Sequence, residues 1–162
     1  MIGIPLGLVY ANAGEWALHK YVLHGLGKNK KSFWAFHWHE HHRASRRNDM
    51  VDPVYEQSLL HWTPKTKEAV SLLGLALVHA PLFPLAPFFT ATVLGSIANY
   101  YRVHAKAHRD PVWARAHLAW HVDHHLGKNQ NLNWCVTHPL IDWVMRTRQR
   151  GEASPLSPTA QA

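Results

Sequence analysis

Cysteine is nearly missing from this chain. Cys135 stands alone among 162 residues, which excludes a disulfide scaffold, a thiolate zinc finger and an iron–sulfur cluster. Nothing therefore points to an oxidising compartment, and a reducing cytoplasmic setting is the default expectation. Charge is missing from the start of the chain: Met1 to Gly14 holds no Asp, Glu, Lys or Arg, so the basic opening of a signal peptide is not there. Charged residues are sparse throughout, at 17% against 47% hydrophobic, the reverse of a disordered chain. Period-2 strand alternation and internal repeats are also lacking, so the predicted fold is all-α. What remains for metal chemistry is imidazole. Fifteen histidines and eight tryptophans are the compositional anomaly.

Helical segments are expected from about Ile4 into the stretch Glu15-Trp16-Ala17-Leu18-His19, from Ser32 to about Ala44, after the hairpin through about Leu126, and near Pro139–Arg148. The longest apolar tract lies between Glu68 and Arg102, 33 residues without a charge. As one helix it would measure roughly 50 Å, more than the ~30 Å of a hydrocarbon core. Pro81, Pro84 and Pro87 interrupt it, and proline breaks a helix interior. A helical hairpin with arms near 66–82 and 86–104 follows, either spanning a membrane or re-entrant. Basic residues gather outside it, from Lys28 to Arg47 and from Arg102 to Arg115, in a chain of formal charge +7. Nucleic acid is one partner for such a balance, but no nucleic-acid module is legible. Lys and Arg beside apolar helices, with tryptophans at 16, 34, 62, 113 and 143 near helix ends, match a cytoplasmic membrane face. The expectation is thus one membrane domain over residues 1–150, integral to the bilayer, with a disordered tail over 151–162. The histidine cluster sits in a helical cap on the cytoplasmic side.

Ten histidines form four groups: His19 and His24; His37, His41 and His42; His104 and His108; His121, His124 and His125. On an α-helix of about 100° per residue, positions i and i+4 share a face, as for His104 and His108. His121, His124 and His125 fall within one sector of about 100°. His19 and His24 stand about 140° apart on such a helix, so they need a helix end between them or two different ions. In the second group His37 lies about 40° from His41, whereas His39 lies about 200° from it. His37 is therefore the expected ligand, aimed at the same site as His41. His39 would replace it only through a local π-bulge. One zinc takes about four ligands, so ten imidazoles imply two metal ions with about five each. His61 and His79 read as ordinary surface or core residues.

The order H-x4-H, H-x3-HH, H-x3-H, H-x2-HH, with an apolar hairpin between the second and third groups, resembles the fatty acid hydroxylase/sterol desaturase superfamily of integral-membrane di-iron oxygenases. The resemblance covers roughly residues 10–148. It includes Asn133-Trp134-Cys135-Val136-Thr137 and Pro139-Leu140-Ile141-Asp142-Trp143, and departs from the family at Cys135 and Arg146, where glycines are usual. The opening His19-Lys20-Tyr21-Val22-Leu23-His24-Gly25 is similar to compact bacterial β-carotene hydroxylases. The resemblance implies two irons, with zinc a possible occupant of purified protein, and O2 as co-substrate. The activity implied is hydroxylation or desaturation of a lipid such as a fatty acyl chain or a sterol-like molecule. The catalytic machinery would be the metal ligands themselves. Glu40, Asp123 and Asp142 are the natural carboxylate partners for imidazole nitrogens turned away from the metal. His117, at i−4 from His121, and His138 stand as further ligands or as neighbours of ligands.

No electron-carrier motif and no GxGxxG is present, so electrons are expected from a ferredoxin or a cytochrome with its reductase. Two other readings remain open: a carotenoid ring hydroxylase, and a membrane protein that binds or transports metal without redox chemistry.

Overall fold

Prolines and polar caps decide where the helices of this chain stop. The computed structural model describes residues 2–151, and among them every regular element is helical. The first helix, α1 (Gly3–Ala17), runs without a break into a π-helical stretch, Leu18–Leu26. A second π-helical stretch, His37–His41, continues as α2 (His42–Arg47). After a 3₁₀ turn at Pro53–Glu56 comes α3 (Pro64–His79), with Pro64 in its first turn and the Thr63 hydroxyl accepting from Thr66 N–H. These are the proline and N-cap signals of a helix start. A 3₁₀ turn over Ala80–Leu82 and a break before Pro87 lead into α4 (Pro87–Ala107). Then follow α5 (Pro111–His117), capped by Asp110, α6 (Ala119–Leu126) and the short α7 (Leu140–Val144). The last helix is shorter than the 139–148 expected, because Arg146 adopts a left-handed backbone with φ 56°, which ends a right-handed helix.

The hairpin of the sequence exists as α3 and α4, but its membrane role does not. Among the described residues no helix is long and apolar enough to cross a membrane. The 16 residues of α3 rise about 24 Å, short of the ~30 Å core, and Lys65, Lys67 and Glu68 occupy its start. The longer α4 carries Asn99, Arg102, His104 and Lys106 in its second half. The integral-membrane architecture is overturned by this, and so is the placement of the histidines on the cytoplasmic face of a bilayer. Trp16, expected at an interface, is buried and donates to the Thr147 hydroxyl at 2.9 Å. The tail expected beyond Gly151 lies outside the described residues.

Helix α1 lies along α4 at close range. A Cβ on Gly7 would meet the Thr92 side chain at 2.8 Å, so only glycine permits that approach. Helix α3 packs on the other flank of α4. The two π-helical stretches and the short helices α2, α5 and α6 gather where α4 finishes. There the core is mostly imidazole. Nine of the twelve largest fully buried side chains are histidines, so the site is the centre of the fold and not a surface feature. Two apolar clusters flank it, one around Met50, Val103, Leu118 and Val122, the other around Trp16, Trp134 and Cys135.

Candidate metal centre

All ten histidines of the four sequence groups are buried, each at most 3% exposed. They sort into two adjoining sets. His19, His24, His37, His42 and His124 form the first, and His41, His104, His108 and His125 the second, with the ligating atoms of each set within 4.8 Å of one another. His121 adjoins the second set, its Nε2 lying 3.2 Å from that of His108. These buried sets can hold metal ions.

Local helix geometry explains the sorting. Residues five apart align in a π-helix, whose bonding runs i to i+5. His19 and His24 therefore meet at one site, without the helix end or second ion that α-helical geometry demands. His37 and His42 are likewise five apart across a π-helical turn, with Nε2 atoms 3.2 Å apart. The expectation that His37 and His41 share a site is corrected by this turn: His37 joins the first set and His41 the second. The π turn allowed for in His39's favour is present, and it serves His37. His39 instead places Nε2 3.0 Å from the Lys28 carbonyl.

The spacing of the nitrogens fits metal coordination. Nε2 atoms lie 3.0 Å apart for His19 and His37, 3.1 Å for His24 and His42, and 3.2 Å for His24 and His124. In the second set His104 and His108 are 3.2 Å apart. Ligands about 2.0–2.1 Å from one ion stand roughly 2.8–3.0 Å from each other at octahedral angles and about 3.3–3.4 Å at tetrahedral ones. For five of these histidines a hydrogen bond donated from Nε2 does not account for the contact, because Nδ1 already uses the proton. His19 Nδ1 donates to the Trp134 carbonyl at 2.5 Å and His124 Nδ1 to that of Leu132 at 2.7 Å. His108 Nδ1 donates to the Met50 carbonyl at 2.8 Å, His41 Nδ1 to Asp52 at 2.8 Å, and His104 Nδ1 to Glu68 at 2.6 Å. Each such bond fixes the tautomer and leaves the Nε2 lone pair facing inward. Several buried nitrogens have no partner at all: His41 Nε2, His24 Nδ1, His121 Nδ1 and both of His125. For His41 Nε2 and one nitrogen of His125, an unpartnered lone pair in a dry interior is costly unless an ion takes it.

Burial, the largest cause, holds nine of the ten imidazoles below their ordinary pKa, and neighbouring histidines push them lower still. For His124 the value is about 4. All nine are neutral at pH 7, the state a metal ligand requires. Glu68 stands apart. Burial alone would raise its carboxyl, but His104 and the hydrogen bonds from His104 and Tyr55 bring it below the usual value.

The expected carboxylate partners lie elsewhere. Glu40 is exposed and pairs with Lys67 at 3.5 Å. Asp123 pairs with Arg148 at 3.3 Å. Asp142 acts one step removed, accepting from the backbone N–H of Trp134 and Cys135 at 2.9 and 2.8 Å. Glu15 completes that cradle by accepting from Val136 N–H and Thr137 N–H, each at 2.8 Å. Together they hold the loop whose Trp134 carbonyl orients His19. His117 is exposed and stacks on Trp113 at 4.9 Å, and His138 is exposed with its ring edge-on to Trp143 at 5.7 Å. Neither belongs to a metal set.

Asp52, Glu68 and Tyr55 were not singled out by sequence. Tyr55 donates to Glu68 at 2.5 Å and stacks on His108 at 5.4 Å. One signal was available: Glu68 is the only acidic residue between Glu56 and Asp110, at the foot of an apolar helix.

A cavity of about 1210 Å³ runs from the histidines outward between α1 and α3, floored by α4. His19, His37, His41 and His104 line its inner end, and Leu8, Leu72, Val78 and Ile97 are among its apolar walls. Both histidine sets thus reach one largely apolar chamber. No family model, curated protein or solved structure matches the chain.

Proposed function

We propose that this protein is a non-haem di-metal oxygenase that hydroxylates or desaturates a lipid-like substrate, as its resemblance to the fatty acid hydroxylase/sterol desaturase superfamily implies. The observation that carries the reading is the junction of two all-imidazole sets with the inner end of an apolar cavity. A metal-storage site has no use for such a chamber, whereas attack on an unactivated C–H bond needs a dry pocket that brings hydrocarbon to the metals.

Two irons, when bound, would supply O2 activation. The protein's own part is positioning. His19, His24, His37, His42 and His124 hold one ion, and His41, His104, His108, His125 and His121 the other. Asp52, Glu68 and the carbonyls of Met50, Leu132 and Trp134 fix the imidazoles. Trp38 and Trp134 press on His24 with ring centroids 4.9 and 4.8 Å away, and help keep water off the first set. Electrons come from a separate ferredoxin or cytochrome.

The reading is tested by O2 uptake. Iron-loaded protein, supplied with a reductase–ferredoxin couple and host lipid extract, is expected to consume O2 and yield lipids that have gained an oxygen atom or lost two hydrogens. Tight metal binding with no O2 uptake under any donor would leave the non-redox metal-binding reading in its place.

A further inference from the structure

The two histidine sets are matched in number but not in what stands behind them. The first gathers five imidazoles and the second four, or five with His121, so ligand count does not separate them. The groups that hold the outward nitrogens do. In the first set those groups are neutral: the Trp134 carbonyl for His19 and the Leu132 carbonyl for His124, at 2.5 and 2.7 Å. His42 Nδ1 lies 3.0 Å from the Gln130 side-chain amide. In the second set two of them are carboxylates. Asp52 accepts from His41 Nδ1 at 2.8 Å and Glu68 from His104 Nδ1 at 2.6 Å. Both are held in turn, Asp52 by Val54 N–H at 3.2 Å and Glu68 by the Tyr55 hydroxyl at 2.5 Å. Among the described residues no carboxylate is hydrogen-bonded to an imidazole of the first set.

Charge decides what this difference does. Neutral imidazoles bring no countercharge, and an uncompensated divalent ion in a dry interior is costly. Two carboxylates, each one imidazole away, cancel the charge of one such ion. A carboxylate on the outer nitrogen also makes the imidazole a more basic ligand. The first set has no such partner. On its side the Lys28 ammonium lies 5.0 Å over the Trp38 ring, which packs on His24 at 4.9 Å. Arg46 lies on the side of the second set, but it is exposed and donates to the backbone carbonyls of His125 and Gly127 at 2.7 and 3.0 Å. Solvent screens its charge there. The sets also touch where His42 stacks on His125 at 4.2 Å, so an ion in one repels the ion entering the other.

We infer that the two metal positions are unequal: the second set, backed by Asp52 and Glu68, fills first, and the first set is the weaker, exchangeable position. Asp52 and Glu68 are then positioning residues whose charge, beyond their geometry, ranks the sites. That ranking presupposes the two-metal reading of the site but no O2 chemistry.

Cobalt(II) added to the metal-free full chain tests the ranking without any turnover. Titration is expected to show two binding steps, the first tighter by about tenfold or more. Wild-type crystals grown with a single equivalent of cobalt are expected to place the anomalous scattering peak among His41, His104, His108 and His125. Asp52→Asn and Glu68→Gln keep an acceptor oxygen but remove the charge. Each is expected to weaken the tight step by about 10- to 100-fold and the weak step by less than about threefold, and to spread the single equivalent over both sets. A purely structural role would weaken both steps alike and leave the peak in place. Two equal steps in wild type, a first ion among His19, His24, His37, His42 and His124, or an unmoved peak in both charge-neutral variants would overturn the inference. No cobalt binding at all would sink the metal centre with it, whereas ordered filling without O2 uptake would sink only the oxygenase reading.

Discussion

His124 and His125 are neighbours in the chain but serve different metal sets. His124 Nε2 lies 3.2 Å from the Nε2 atoms of both His24 and His42, whereas His125 belongs with His41, His104 and His108. The doublet His41-His42 divides the same way, and His42 stacks on His125 at 4.2 Å where the sets meet. Successive residues on a helix point about 100° apart, so a doublet straddles two sites and holds them side by side.

Each doublet variant should therefore cost one metal and not both. His124→Ala is expected to lose about one of two metal equivalents from the first set, and His125→Ala about one from the second. Metal analysis of the purified variants checks this, with both equivalents lost in either variant counting against a divided doublet.

Glu68 is expected to matter where Glu40 does not. Glu68→Gln removes the charged acceptor at 2.6 Å from His104 Nδ1 and should weaken metal binding at the second set by about 10- to 100-fold. Glu40→Gln, which breaks only an exposed contact with Lys67, should change affinity less than twofold. Competition with a chromophoric chelator measures both.

Exchange of His37 for alanine should strip metal from the first set, while His39→Ala leaves the metal content near wild type. The reason is place: His37 lies among the Nε2 atoms of His19 and His42, and His39 reaches only the Lys28 carbonyl. Metal loss in the second variant alone would reverse the assignment.

Metal-free protein should lose stability as pH falls below about 6.5. Above that pH the folded and unfolded chains both carry these histidines neutral, so they add no pH dependence. Below it the unfolded chain takes up protons that nine buried imidazoles refuse. Stability then falls with pH by up to about 1.4 kcal/mol per pH unit for each of them. His124 ceases to contribute below its folded value of about 4. Urea midpoints of the chelated protein between about pH 7 and 5 measure the slope.

Much of the site was legible because histidine spacing is a local property. The ten buried imidazoles are the ten that sequence grouped, and the hairpin between the groups exists as α3 and α4. What sequence hid depends on geometry that no local pattern encodes. The two π-helical turns change which histidines meet, since His19 and His24 align only when the helix is wound wider. The carboxylates that orient the imidazoles come from other elements: Asp52 from the cap of a 3₁₀ turn, Glu68 from α3. Those nearest the histidines in sequence, Glu40 and Asp123, turn away. The membrane expectation failed for a different reason. An apolar tract counted across the prolines is long, but each arm by itself is short or interrupted by Asn99 and Arg102. Arg146 holds φ at 56°, a conformation that glycine adopts at no cost.

The most direct test of a two-metal imidazole centre is iron stoichiometry. Metal-free protein reloaded with ferrous iron under anaerobic conditions, desalted and analysed by mass spectrometry for iron per chain, is expected to hold about two equivalents, falling to about one in His124→Ala and in His125→Ala. A wild-type protein that retains one iron or none would contradict it.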